Sequence, residues 1–115
     1  MGHPSPHMFC KVRKHLSNLG PNMSENIVIS GTLTCTPEDL DMVLVESAEH
    51  VCLTLAEPGC ISFSIDQSQE DPHTFIILER FVDQAAFDIH TVRTRASQWW
   101  KKSKHIPRNL KPVPE

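Results

Sequence analysis

Between Glu57 and His90 the chain reads EPGCISFSIDQSQEDPHTFIILERFVDQAAFDIH. This stretch restricts the possible folds more than any other, because two strand patterns and a helix start follow one another with little spacer. Ile61, Phe63 and Ile65 alternate with Cys60, Ser62 and Ser64, the period-two pattern of a strand with one buried face. After the polar loop Gln67 to Pro72, the run from His73 to Phe81 is apolar on both faces, with Phe75, Ile77 and Phe81 on one and Ile76 and Leu78 on the other. Such a strand needs cover on both sides. The Glu-Asp-Pro of the loop is a turn signal, so the two strands are expected to pair as a hairpin. Asp83 then caps a helix expected to run to about Lys102, whose basic end (Lys101, Lys102, Lys104) suits a helix C-terminus.

Upstream, Ile27 to Cys35 alternates in the same way and reads as a first strand. Thr36 offers an N-cap, Pro37 fits the first helical position and Asp39 stands three residues after the cap. The helix that follows carries an apolar stripe of Leu40, Val43, Leu44, Ala48, Val51 and Leu55, and Pro58-Gly59 stops it. Strand, helix, strand, strand, helix is most of a ferredoxin-like α+β unit, with both helices on one face of an antiparallel sheet. The other face is then bare. A strand apolar on both sides does not tolerate that, and the same face of a second copy about a two-fold axis is the simplest cover, so a homodimer is expected. The tail His105 to Glu115 holds Pro107, Pro112 and Pro114, so a fourth strand there must be short or at an edge.

A chain of 115 residues makes one domain and buries only about 60 to 70% of its unfolded surface, which adds weight to dimerisation. The net charge of -3 is uneven: residues 1–22 hold Lys11, Arg13 and Lys14 and no acid, and removing those three from the 11 basic residues leaves 8 against 14 acidic ones. That body is a poor match for nucleic acid. Residues 1–22 are expected to be a disordered basic extension and 23–115 the domain. Nothing in that extension resembles a signal-peptide core or a membrane span, so a cytoplasmic protein without membrane contact is expected. Cys10, Cys35, Cys52 and Cys60 contain no CxxC pair and are expected to be reduced, with Cys52 and Cys60 as small core residues. The histidines of the body, His50, His73, His90 and His105, show no HxxxH or HxH spacing, and no metal site is expected.

EPGC, an aromatic-rich strand ending in Glu79-Arg80-Phe81, and Asp83 leading into Ala85-Ala86-Phe87 and His90 together resemble the antibiotic biosynthesis monooxygenase family, which includes small quinol monooxygenases. The resemblance covers roughly Glu25 to Trp100. It implies a ferredoxin-like protomer pairing into a dimeric α/β barrel that oxidises a quinol or hydroxylated polycyclic aromatic with O2 and needs no cofactor. The pocket it implies lies between sheet and helices. There His90, the histidine of A-F-x-x-H, takes a proton, and Glu79 of E-R is an acid or base if burial raises its pKa; Arg93, which matches no family motif but shares the helical stripe of Ala86, His90, Ser97 and Trp100, is expected to stabilise the resulting anion. Phe63, Phe75, Phe81 and Trp100 supply flat substrate-binding walls, with Trp99 beside them.

Each residue also has a plainer role, as a packing histidine, a strand-tying carboxylate or a core aromatic. Two other functions share the fold. Haem-degrading relatives place a tryptophan where this chain has His90 and a haem-ligating histidine where it has Trp100, and both positions fail. A non-enzymatic dimeric module holding a small ligand in the same pocket is the alternative from another class.

Overall fold

The computed structural model describes residues 26–114, and the expected extension over residues 1–22 lies outside the described residues. The elements are β1 (Ile27–Thr34), a single 3-10 turn (Pro37–Asp39), α1 (Leu40–Leu55), β2 (Cys60–Gln67), β3 (Thr74–Phe81), α2 (Gln84–Arg95), α3 (Gln98–Ser103) and β4 (Arg108–Pro112). They form an α+β ferredoxin-like fold. The four strands make one antiparallel sheet in the order β2-β3-β1-β4, with the β2–β3 hairpin where the turn chemistry places it. Both caps form as the sequence suggests: the Asp39 amide donates to Thr36 Oγ1 at 3.3 Å and the Ala86 amide to Asp83 Oδ1 at 2.9 Å.

The fourth strand exists and lies at the sheet edge along β1, as its prolines require. Its approach is close. A Cβ on Gly31 would stand 1.8 Å from the Asn109 carbonyl oxygen, so only glycine lets the two backbones meet there.

On β3 the residues Phe75, Ile77, Glu79 and Phe81 are buried beneath the helices, while Ile76 and Leu78 remain 42% and 49% exposed on the open face. Two apolar clusters form the core. One joins Leu33, Cys35, Val43, Phe75, Ile77, Trp99 and Ile106, and the other Cys60, Phe63 and Phe81. Ile65 packs against both.

Three expectations need correction. The buried side of α1 is Val43, Ser47, Ala48, His50 and Thr54, whereas Leu44 is 40% exposed. Val43 and Ala48 are buried and Leu40, Val51 and Leu55 pack against the core as the stripe predicts, so only Leu44 departs from it, while Ser47, His50 and Thr54 add polar groups to the buried side, where Arg93 bonds Thr54 and Trp99 stacks on His50. The long second helix is two. It ends at Arg95, and Ser97 restarts it as α3 by accepting from the Trp100 amide at 3.1 Å while donating to the Thr94 carbonyl at 2.6 Å. A serine hydroxyl competing for backbone groups in this way breaks the ladder and lets Trp99 turn inward. Finally, Cys35 is a buried free thiol and Cys60 is buried in the core, but Cys52 is disulfide-bonded, against the expectation of a reduced side chain at that position.

Candidate active site

Glu57 follows the C-terminus of α1, a place where the helix dipole disfavours an acid. It is nonetheless buried, and two cationic or polar partners from α2 explain how. Arg93 Nε donates to Glu57 Oε2 at 2.5 Å, its Nη2 donates to Thr54 Oγ1 at 2.8 Å, and His90 Nδ1 lies 3.2 Å from the same Glu57 oxygen. The Pro58-Gly59 turn makes this geometry possible. A Cβ on Gly59 would come within 2.4 Å of Ala86 Cβ, so its absence lets the first turn of α2 settle near Glu57 and brings His90 and Arg93, one helical turn apart, over the carboxylate.

A carboxylate only accepts, so Nδ1 of His90 carries the proton and Nε2 is left as an acceptor. That nitrogen is 3.2 Å from Thr94 Oγ1 and 3.9 Å from Glu79 Oε1. Burial holds the His90 pKa below the ordinary histidine value, although Glu57 pulls in the opposite direction. Glu79 lies between Ile29 of β1 and Phe63 of β2 in the sheet register. Burial, aided by the charge of Glu57, pushes its pKa up to about 7. An imidazole whose Nε2 accepts from the Thr94 hydroxyl thus lies near a carboxyl group that holds a proton up to near-neutral pH.

Both groups open into a cavity of about 160 Å³ whose wall includes Phe63, Ile65, Ile77, Phe87, Trp99 and Trp100. Aromatic rings crowd His90: Phe81 at 4.8 Å and Phe63 at 5.4 Å between centroids. Among the described residues, no group of three or more His, Cys, Asp or Glu is placed to hold a metal ion.

The family model for antibiotic biosynthesis monooxygenases matches residues 26–102. The chain belongs to the antibiotic biosynthesis monooxygenase family. Solved structures share its fold. A Nitrosomonas europaea protein provisionally assigned to this family superposes with a TM-score of 0.72 at 17% identity, covering 80% of this chain and 91% of that one. A Pseudomonas aeruginosa protein gives 0.68 at 21% identity, covering 82% and 97%. A further structure, described as an antibiotic biosynthesis monooxygenase, gives 0.65 at 25% identity, covering 77% and 97%. An uncharacterized protein of Synechocystis is 28% identical over 64 residues, 56% of this chain. The aligned region spans 44% of that relative's length.

In this monooxygenase-family domain the residues singled out from sequence do not all reach one place. His90, Glu79, Phe63 and Trp100 line the cavity together. Phe75 and Phe81 are buried in the two core clusters behind it. Arg93 does not line the cavity but a groove with Glu46, Glu49, Leu53 and Trp99, and it acts on the cavity through its bond to Glu57 and through its charge on His50 and His90.

Two residues were not picked out from the sequence. Glu57 was visible only as an acid misplaced at a helix C-terminus. His50 lines the cavity too, stacked on Trp99 at 5.8 Å and edge-on to Phe63 at 5.4 Å. Burial, followed by Arg93, His90 and Arg108, pushes its pKa down to about 3, and its buried Nδ1 has no hydrogen-bond partner among the described residues. Its signal was a polar residue one turn from Ser47 and Thr54 on the same helical face.

Proposed function

We propose that this protein is a cofactor-independent monooxygenase that oxidises a small quinol with O2 and works as a cytoplasmic homodimer. The observation that carries the reading is the Glu57–His90 pair, whose acceptor nitrogen Nε2, within reach of the Thr94 hydroxyl, lies 3.9 Å from the Glu79 carboxyl at the edge of an aromatic-walled cavity. In this reading His90 Nε2 takes the quinol hydroxyl proton, and Glu57 on Nδ1 offsets the imidazolium charge. The quinolate then gives its electrons to O2 without a further donor. The balance is quinol plus O2 to hydroxyquinone plus water: one oxygen atom is inserted into a ring C–H bond, the other leaves as water, and in this reading Glu79 returns a proton to it. Apolar walls keep competing water away from the reduced oxygen. A cavity of about 160 Å³ is close to the size that takes up benzene in an engineered core, about 150 Å³. This favours one ring, or two with the second at the mouth, over a larger polycycle. The half-exposed Ile76 and Leu78 on the open sheet face support the homodimer.

Oxygen uptake by metal-chelated protein with hydroquinones of one and two rings tests the proposal, with heat-unfolded protein as the autoxidation control. Uptake above that control is expected, falling about 10²-fold or more in His90→Ala. Uptake no faster than autoxidation refutes the oxygenase and leaves the non-enzymatic binding module.

A further inference from the structure

The cavity has a charged rim that proton transfer at His90 does not use. Its deep wall is made of buried side chains, His50, Phe63, Ile77, Glu79, His90 and Trp99, whereas Arg95 and Leu110 are exposed and Trp100 and Arg108 are half-buried, so these four mark the mouth. Arg108 leaves the start of β4 and lies over both tryptophans, 5.7 Å from the Trp99 ring centroid and 5.4 Å from that of Trp100. Arg95, at the end of α2, stands 5.7 Å from the Trp100 centroid. Two guanidinium groups therefore flank one indole at the entrance.

Neither has an ion-pair partner among the described residues. Arg108 is the more telling of the two, because burial disfavours its charged form and a guanidinium does not discharge to escape that cost. Its Nη2 donates to the carbonyl and hydroxyl oxygens of Ser103 and its Nε to the Ile106 carbonyl. Those neutral acceptors fix its orientation. Nη1 has no hydrogen-bond partner among the described residues. A cation held in place by neutral groups, half out of water and without a counter-charge, is preorganised for an anion.

We infer that the substrate is an aromatic compound carrying a carboxylate, held at the cavity mouth by Arg108 with help from Arg95, so that the hydroxylated edge of the ring points inward to His90 and Glu79. The inference rests on the cavity being the substrate site, as proposed above, but not on the oxygen chemistry. The ring would lie against Trp99 and Trp100, and the anion would complete the charge balance that Arg108 lacks. The inward end meets an imidazole and a carboxyl that holds its proton below about pH 7, neither of which repels a hydroxyl. Orientation is thereby set by charge, and the reacting edge by the proton acceptor.

The test is calorimetric titration of the full chain under argon with 2-naphthoate and with the near-isosteric neutral 2-naphthamide, neither of which is a quinol. Naphthoate should bind about tenfold or more tightly, with the advantage shrinking as salt rises. Arg108→Gln should abolish that advantage while leaving the amide affinity unchanged. Because Arg108 also ties Ser103 to β4, the exposed Arg95→Glu is the second variant: it keeps the fold and should weaken naphthoate selectively. Equal affinities for acid and amide, failure of both to bind, or an acid preference that survives in both variants would each overturn the inference. Oxygen uptake separates this outcome from the function itself. Equal turnover of 1,4-dihydroxy-2-naphthoate and naphthalene-1,4-diol refutes the carboxylate anchor and leaves the oxygenase, whereas charge-selective binding without any uptake does the reverse.

Discussion

Replacing Glu79 by glutamine isolates the cost of ionising a carboxyl in this core. The folded pKa is about 7 against an ordinary 4.5, so the folded protein binds more protons than the unfolded chain between those values. Stability from this group is fully present below about pH 4.5 and is lost as pH rises to 7, beyond which the loss is constant. At about 1.36 kcal/mol per pH unit, that window is worth about 3 kcal/mol. Glutamine keeps the shape and a donor but does not ionise. Urea denaturation at fixed protein concentration should find the two proteins similar at pH 4 and the variant more stable by about 3 kcal/mol at pH 8, a midpoint shift of about 2 M. His50 and His90 titrate in both proteins, so the difference between the two pH profiles reports Glu79. Parallel profiles, or a variant less stable at pH 8, would refute the account of Glu79 as a desolvated acid.

His50 should show the opposite sign. Its folded pKa of about 3 lies below the ordinary 6.5, so stability present above pH 6.5 is lost as pH falls towards 3, by about 4 to 5 kcal/mol; His50→Phe, which keeps the stacking on Trp99, should flatten that acid slope, and an unchanged slope would count against it. Glu57→Gln removes the partner that raises the His90 pKa, so kcat should fall ten- to a hundred-fold and the acid limb of kcat/KM should move to lower pH; a limb that stays put would separate Glu57 from the base. Gly31→Ala must push Asn109 away and should cost about 1 to 3 kcal/mol, read as a lower melting temperature with faster amide exchange along β4. Leu78→Lys on the open face should leave the monomer fold intact and halve the mass seen by sedimentation, whereas an unaltered mass would place the dimer contact elsewhere.

Some of the site could be read directly from short-range pattern. Alternation on β3 puts Glu79 on the same face as Phe75, Ile77 and Phe81, and the Asp83 cap sets the phase of α2 that turns His90 inward. Both depend on neighbours a few residues away, where periodicity and capping act. The same rules could not separate Phe63, at the cavity, from Phe81, sealed in the core, because alternation gives a side and not a position along the helices. Nor could they say that Ser97 would restart the helix, since a serine in an otherwise helical run suits an interior position and a cap alike until Trp99 finds its place in the core.

The amino-acid sequence by itself determined the order of the first three strands with α1 and the start of α2, the hairpin, both caps and the family, and it confined any last strand to a short or edge position. These follow from local propensity, period and proline chemistry, and from a motif spread over contiguous residues. Only the tertiary structure decided which charges meet. Glu57 and Arg93 are 36 residues apart, and their pairing exists because Gly59 lets α2 close on the end of α1. The lowered pKa of His50, the raised one of Glu79 and the uncompensated Arg108 at the mouth likewise arise from desolvation and from charges on separate elements. Ionisation energies depend on what surrounds a group in three dimensions, and no spacing along the chain encodes that.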